Sequence, residues 1–163
     1  MKSFESRNIC IYIYCGMSNA FVPDLPCMCA SLRRASRALN QFYEDELRPA
    51  GLRATQFTVL QVLSLAHDVT QGELGQMLAM DSTTLTRTLQ IMTRHGWIRK
   101  QRGSDRREWR LRLSRVGELQ LKRALPHWEK AQARLRAQLG PMQWKALSKL
   151  TNAVTNSVTQ RGD

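Results

Sequence analysis

The sequence predicts a mainly α fold with a small β-hairpin wing: a winged helix-turn-helix flanked by long N- and C-terminal helices. Three observations predict it. Two short amphipathic segments, residues 70–78 and 81–94, are separated by a turn of very few residues. An arginine-rich strand pair follows a glycine stop at Gly96. Apolar positions recur at helical spacing on both sides of this block.

In chain order, Leu32, Ala35, Leu39, Phe42 and Tyr43 form one helical stripe through roughly residues 27–47, which Pro49 and Gly51 stop. Phe57, Leu60, Val62 and Leu63 mark a second helix, with Thr55 as its expected cap. Thr70-Gln71-Gly72-Glu73 reads as a capping box, Thr70 capping and Glu73 reaching back, and Leu74, Met77 and Leu78 are the expected apolar face of a short third helix. A tight turn through Met80 and Asp81 leads into the fourth helix. There Leu85, Leu89 and Met92 share one face, while Thr83, Arg87, Gln90 and Arg94 recur on the opposite one. Gly96 takes the left-handed conformation at low cost and ends this helix. Trp97 and Ile98 open a first strand, and Trp109, Leu111 and Leu113 alternate with Arg110 and Arg112 in a second. Leu121, Leu125, Trp128, Leu135 and Leu139 then make a long stripe, interrupted by the polar Gln132. Pro126 is expected to kink this helix or end its first segment, and Gly140-Pro141 to break it. Leu147, Leu150, Val154 and Val158 predict a last amphipathic helix.

Charge gives these elements a partner. The formal net charge is +12, and from Ser82 to Arg115 ten Lys/Arg face only Asp105 and Glu108. So concentrated an excess favours a polyanion. Hydroxyl, amide and guanidinium groups on the polar face of the fourth helix can donate to phosphates and to base edges in a major groove. The turn Arg102-Gly103-Ser104-Asp105-Arg106-Arg107 puts guanidinium groups at the hairpin tip, where a wing can track the backbone or enter the minor groove. The expected partner is therefore double-stranded DNA.

At 163 residues the length suits one domain, and 42% hydrophobic content is ample for a core. Residues 1–26 read as a leader or flexible arm, or as an extended reading frame with Met17 and Met28 as internal candidate starts. The remainder, 27–163, reads as one domain: a DNA-reading lobe over 55–115, with 27–50 and 116–158 as dimerisation helices. The outer helices carry more apolar surface than one small domain needs, which points to a twofold homodimer with recognition helices about one DNA turn apart. An all-intramolecular bundle is the alternative. Four cysteines without a secretory signal suggest a reducing, cytoplasmic compartment, and the apolar run at residues 9–16 is too short to span a bilayer. A nucleic-acid enzyme is disfavoured. There is no Gly-rich phosphate loop or His-Glu-x-x-His, and His67, His95 and His127 lack metal-ligand spacing, so neither cofactor nor metal is expected. A constitutive architectural DNA binder is disfavoured by the hydroxyl-rich reading face.

The chain also resembles the MarR family of bacterial transcriptional regulators over roughly residues 27–155. The resemblance rests on Leu32-Arg33-Arg34-Ala35-Ser36-Arg37-Ala38-Leu39, Gly51-Leu52, Gln56-Phe57, Asp81-Ser82-Thr83-Thr84-Leu85-Thr86-Arg87, Asp105-Arg106-Arg107 and Leu113-Ser114-Arg115-Val116-Gly117. It implies a homodimeric winged helix-turn-helix protein, often a repressor, on a pseudo-palindromic operator, released by a small molecule or by oxidation. Ser82, Thr83, Thr84, Thr86 and Arg87 fall where such proteins meet bases and phosphates, with Gln90, Arg94 and Arg106 beside them. Arg107 falls at the wing-tip arginine that enters the minor groove, and Asp105 at the acid that orients the wing, with Arg87 as a candidate partner. In the resembled family aromatic and phenolic effectors bind between the dimerisation helices and the DNA-reading lobe, where Phe42, Phe57 and Trp128 could line a pocket; plain core is the competing reading of these rings. Cys27 and Cys29 sit near the first helix's start, where N–H groups and dipole favour a reactive thiolate. A peroxide-sensing branch of the family has its reactive cysteine nearby, yet carries a tyrosine where this chain has Phe57. Inert buried thiols are the default expectation for this pair. Cys10 and Cys15 do not complete the paired spacing of a four-cysteine zinc site.

Overall fold

The computed structural model describes residues 25–103 and 109–159. Two compact units divide the chain, residues 1–35 and 36–163. Helix α1, Met28–Leu47, begins in the first. Its opening turn forms where the Ser31 N–H donates to the Cys27 carbonyl at 3.0 Å. Cys27 and Cys29 are both free and exposed there, which corrects the expectation of buried thiols. The physical reason is local: Met28 between them is itself 69% exposed, so among the described residues this turn packs into no core.

In the second unit, the end of α1 passes through a 3-10 turn, Arg48–Ala50, into α2, Ala54–Ala66. Thr55 does not cap α2. Arg53 holds the N-cap position, its N–H donating to Gln56 Oε1 at 3.0 Å, while the Ala54 N–H donates to the Glu44 carboxylate at 3.3 Å. With these first donors satisfied, Thr55 lies inside the first turn. The predicted capping box is present in α3, Gln71–Leu78: Glu73 N–H donates to Thr70 Oγ1 at 3.1 Å, and Thr70 N–H to Glu73 Oε2 at 2.7 Å. Of the expected apolar face, Leu74 is fully buried and Leu78 packs on the core, but Met77 is 57% exposed. A two-turn helix touching the core along one edge needs only positions 74 and 78.

Helix α4, Ser82–Arg94, buries Leu85, Leu89 and Met92. Strands β2, Ile98–Arg102, and β3, Trp109–Leu113, form the hairpin, and a two-residue β1, Val69–Thr70, adds to its other side in the order β1-β3-β2. All pairings are antiparallel, with Val69 opposite Leu111, Lys100 opposite Leu111, and Arg102 opposite Trp109. Trp109 does not pack inward as its alternation suggests. It lies where the hairpin outruns the core, is 52% exposed, and carries the Arg102 guanidinium 5.5 Å from its ring centre.

Helix α5, Arg115–Thr159, leaves helical geometry only at Gly140, whose φ of 75° and ψ of 163° only glycine adopts readily. Pro126 does not end the first segment: Leu121, Ala124, Leu125 and Trp128, on both sides of it, pack on one core and hold the helix together. That core joins Leu47, Leu52, Phe57, Leu60, Leu63, Leu74, Leu85, Leu89, Met92 and Leu111. Buried Glu46 pairs with Lys130 at 3.1 Å and with Arg134, tying α1 to α5. No helix among the described residues is long and apolar enough to cross a membrane.

Candidate nucleic-acid interface

Helix α4 is held from below and at its start. Asp81 caps it, Oδ1 accepting from the Thr84 N–H at 2.8 Å and Oδ2 from the Thr84 hydroxyl at 2.7 Å. These hydrogen bonds, the side-chain one foremost, keep the Asp81 carboxyl below the usual carboxylate range. Thr86 is half-buried, and its hydroxyl accepts from the Gln71 amide of α3 at 2.8 Å. Thr84 and Thr86 therefore also fix the helix to its cap and its neighbour. Thr83, Arg87, Gln90 and Arg94 are exposed on the outward face, and Ser82 is exposed at the helix start. Among the described residues no carboxylate pairs with Arg87 or Arg94. Asp105, Arg106 and Arg107 lie outside the described residues.

Sequence reasoning missed the brace that sets the wing. Asp68 accepts from Arg112 at 2.7 Å, and its carbonyl accepts from Arg110 at 3.4 Å, so one residue before β1 ties down the outward side of β3. The Arg112 hydrogen bond chiefly, with the charges of Arg112 and Arg110 adding and desolvation opposing, holds the Asp68 carboxyl below its ordinary value. A folded-state value below the unfolded one means stabilisation that is present at neutral pH and lost as pH falls through the folded value. The melting temperature of Asp68→Asn is expected to lie below wild type at pH 7 and to fall less on acidification below about pH 4. Parallel acid-dependent declines in the two proteins would rule the brace out.

The motif Leu113-Ser114-Arg115-Val116-Gly117 joins wing to α5. The Ser114 N–H donates to the Trp97 carbonyl at 2.9 Å, its hydroxyl donates to the Gly96 carbonyl, and its Oγ accepts from the Gly117 N–H at 3.0 Å. A side chain at position 117 would meet the Trp97 carbonyl oxygen.

A cavity of about 620 Å³ lies between α1, α2 and α5, lined among others by Tyr43, Phe57, Thr84, Trp128 and Gln132. The Phe57 and Trp128 ring centres are 5.9 Å apart, and Gln132 Oε1 is buried with no hydrogen-bond partner among the described residues. Burial pushes the Tyr43 hydroxyl above its usual range. Phe42 does not line this cavity. Its ring stands edge-on to Tyr43 at 5.6 Å, under the Arg134 guanidinium at 5.2 Å.

Residues 50–108 match the model of the MarR family. The M. tuberculosis transcriptional regulator MosR, solved in complex with DNA, is 36% identical and superposes with a TM-score of 0.76, over 84% of this chain and 99% of that one. The chain belongs to the MarR family. Its match to a curated relative, the uncharacterized HTH-type transcriptional regulator YwoH of Bacillus subtilis, is 29% identical over 87 residues, 53% of this chain and 64% of that protein. In that match the chain spans less than two thirds of the relative's length. E. coli MarR, in a mutant form complexed with operator DNA, shares the fold with a TM-score of 0.71 at 22% identity, over 78% of this chain and 92% of that one. These relatives are transcriptional regulators rather than enzymes, and this MarR-family protein falls in their class.

Proposed function

We propose that this MarR-family protein is a sequence-specific regulator that binds double-stranded DNA as a cytoplasmic homodimer, repressing from a pseudo-palindromic operator until a small, aromatic or phenolic ligand releases it. The observation that carries this reading is the outward face of α4: Thr83, Arg87, Gln90 and Arg94 exposed above a fully buried Leu85, Leu89 and Met92. That is a row of donors on a helix, an element that a major groove admits. Residues 55–115 form the DNA-reading lobe in this reading, and 27–50 with 116–158 the dimer helices. The dimer is supported by the row Leu147, Leu150, Val154 and Val158, exposed at helical spacing with Val158 at 65%. The ligand reading is supported by the cavity that joins Phe57 and Trp128 to Thr84 at the start of α4, with an unsatisfied Gln132 carbonyl at its wall.

Fluorescence anisotropy with the chain's own upstream intergenic duplex and a scrambled duplex, over several salt concentrations, tests it. Specific preference of about 10³-fold or more with a steep salt slope is expected, together with twice the monomer mass by light scattering. Equal binding to both duplexes would instead favour an architectural binder. Exposure of both Cys27 and Cys29 favours a second reading, a thiol-based oxidant sensor. In that case peroxide lowers the operator affinity of the reduced protein and a thiol reductant restores it; unchanged affinity excludes it.

A further inference from the structure

The reading face of α4 and the wing are separated by a cleft of about 410 Å³ lined by Gln90, Thr93, Arg94 and Lys100. Lys100 reaches it through the sheet register. Alternation along β2 puts Ile98, Lys100 and Arg102 on one face, and their partners Leu113, Leu111 and Trp109 share it. Ile98 and Leu111 are buried, so this face is turned toward the helices. Lys100, one step beyond Ile98, leaves the core and enters the cleft beside the last turns of α4. Arg102, one step further, is occupied by the Trp109 ring.

Among the described residues neither Arg94 nor Lys100 has a carboxylate partner, and the Thr93 hydroxyl has no hydrogen bond within the protein. The contrast within this chain is plain: Arg48, Arg53, Arg112, Lys130 and Arg134 each hold a carboxylate. Two cations converging with a hydroxyl donor in one cleft repel each other, and an anion placed between them relieves that repulsion.

We infer that this cleft seats the sugar–phosphate strand dividing the major from the minor groove, with Lys100 and Arg94 as its phosphate cations and Thr93 as a hydroxyl donor. The inference rests on the proposed reading, in which α4 lies in a major groove and the wing in the neighbouring minor groove. Adjacent grooves of a duplex are separated by one backbone strand. A helix and a hairpin in successive grooves must straddle that strand, and it runs through the crevice between them. Lys100 and Thr93 thereby join the interface as positioning groups that carry no base information.

The test compares wild type with Lys100→Gln and Lys100→Arg on operator and scrambled duplexes across salt. Lys100→Gln is expected to weaken binding to both duplexes by the same several-fold factor and to reduce the log–log salt slope by about 1, with the preference ratio unchanged; Lys100→Arg retains the slope. A neutral methylphosphonate scanned along the duplex weakens wild type at one position where it costs Lys100→Gln nothing further. Specific binding by wild type with an unaltered affinity and slope in Lys100→Gln overturns the phosphate seat alone, as does a changed preference ratio, which would make Lys100 a base reader. Binding of wild type to neither duplex overturns the regulator reading and this inference with it. Lys100 is exposed, so an unchanged melting curve separates these outcomes from misfolding.

Discussion

Arg87→Ala is expected to weaken operator binding by about 1–3 kcal/mol, roughly 5- to 150-fold, and to weaken scrambled-duplex binding much less. Arg87 stands at the centre of the outward row, one turn from Thr83 and one from Gln90, and the residues beneath it, Leu85 and Leu89, are fully buried. The guanidinium is thus carried by a helix that cannot roll without breaking the core. Its fork matches the two acceptors of a guanine edge, and a lysine presents a single point charge there, so Arg87→Lys should recover the salt dependence but not the sequence preference. Thr83→Ala should relax preference in the same direction. Arg107→Ala, by contrast, should weaken binding across many sequences alike. Competition anisotropy at fixed moderate salt checks all of these. If Arg87→Ala left the operator-to-scramble ratio intact, α4 would not be the reading element.

Gly117→Ala should be the most damaging of the glycine-to-alanine changes at Gly51, Gly72, Gly75, Gly96, Gly117 and Gly140. Its Cβ would stand 2.1 Å from the Trp97 carbonyl oxygen and 3.0 Å from the carbonyl carbon, both backbone atoms that no rotamer change can move. The approach is that close because Ser114 bonds to Gly96, Trp97 and Gly117 at once, clamping the start of α5 onto the root of the wing. Separating them should cost about 3 kcal/mol or more and lower the melting temperature by about 6–12 °C. Gly96→Ala is the control: nothing lies within 4 Å of its Cβ position, so only the positive φ of 70° is strained, at about 1–2 kcal/mol. Equal melting temperatures for the two variants would show that the close approach at Gly117 relaxes freely. The surviving fraction of Gly117→Ala should also bind DNA poorly, because the wing root would be released.

Much of the DNA-reading module is legible residue by residue. The Thr70–Glu73 box acts within three residues and the Leu85, Leu89 and Met92 stripe within two turns, so their geometry is written in neighbouring letters; the Asp81 cap, read only as a turn, is as local. Where the expectations failed, packing and hydrogen bonding decided, through neighbours in sequence as well as distant residues. Thr55 lost the cap to Glu44 and Gln56, Met77 was left outside because only one edge of α3 meets the core, and Trp109 found Arg102 rather than the interior. Phe42, grouped by type with Phe57 and Trp128, turned instead to Tyr43 and Arg134.

The sequence by itself determined the order of helices, the hairpin, the polar face of the fourth helix and the helix break at Gly140, since periodicity, caps and glycine conformations act over a few residues. Only the tertiary structure decided the two-residue strand β1, the Asp68–Arg112 brace, the buried Glu46 between Lys130 and Arg134, and the contact of Gly117 with Trp97. Asp68 and Arg112 are 44 residues apart, and Gln120 donates to the Ala50 carbonyl across 70. No local pattern records such pairs. They form because packing the apolar faces brings polar groups from distant parts of the chain within hydrogen-bond reach.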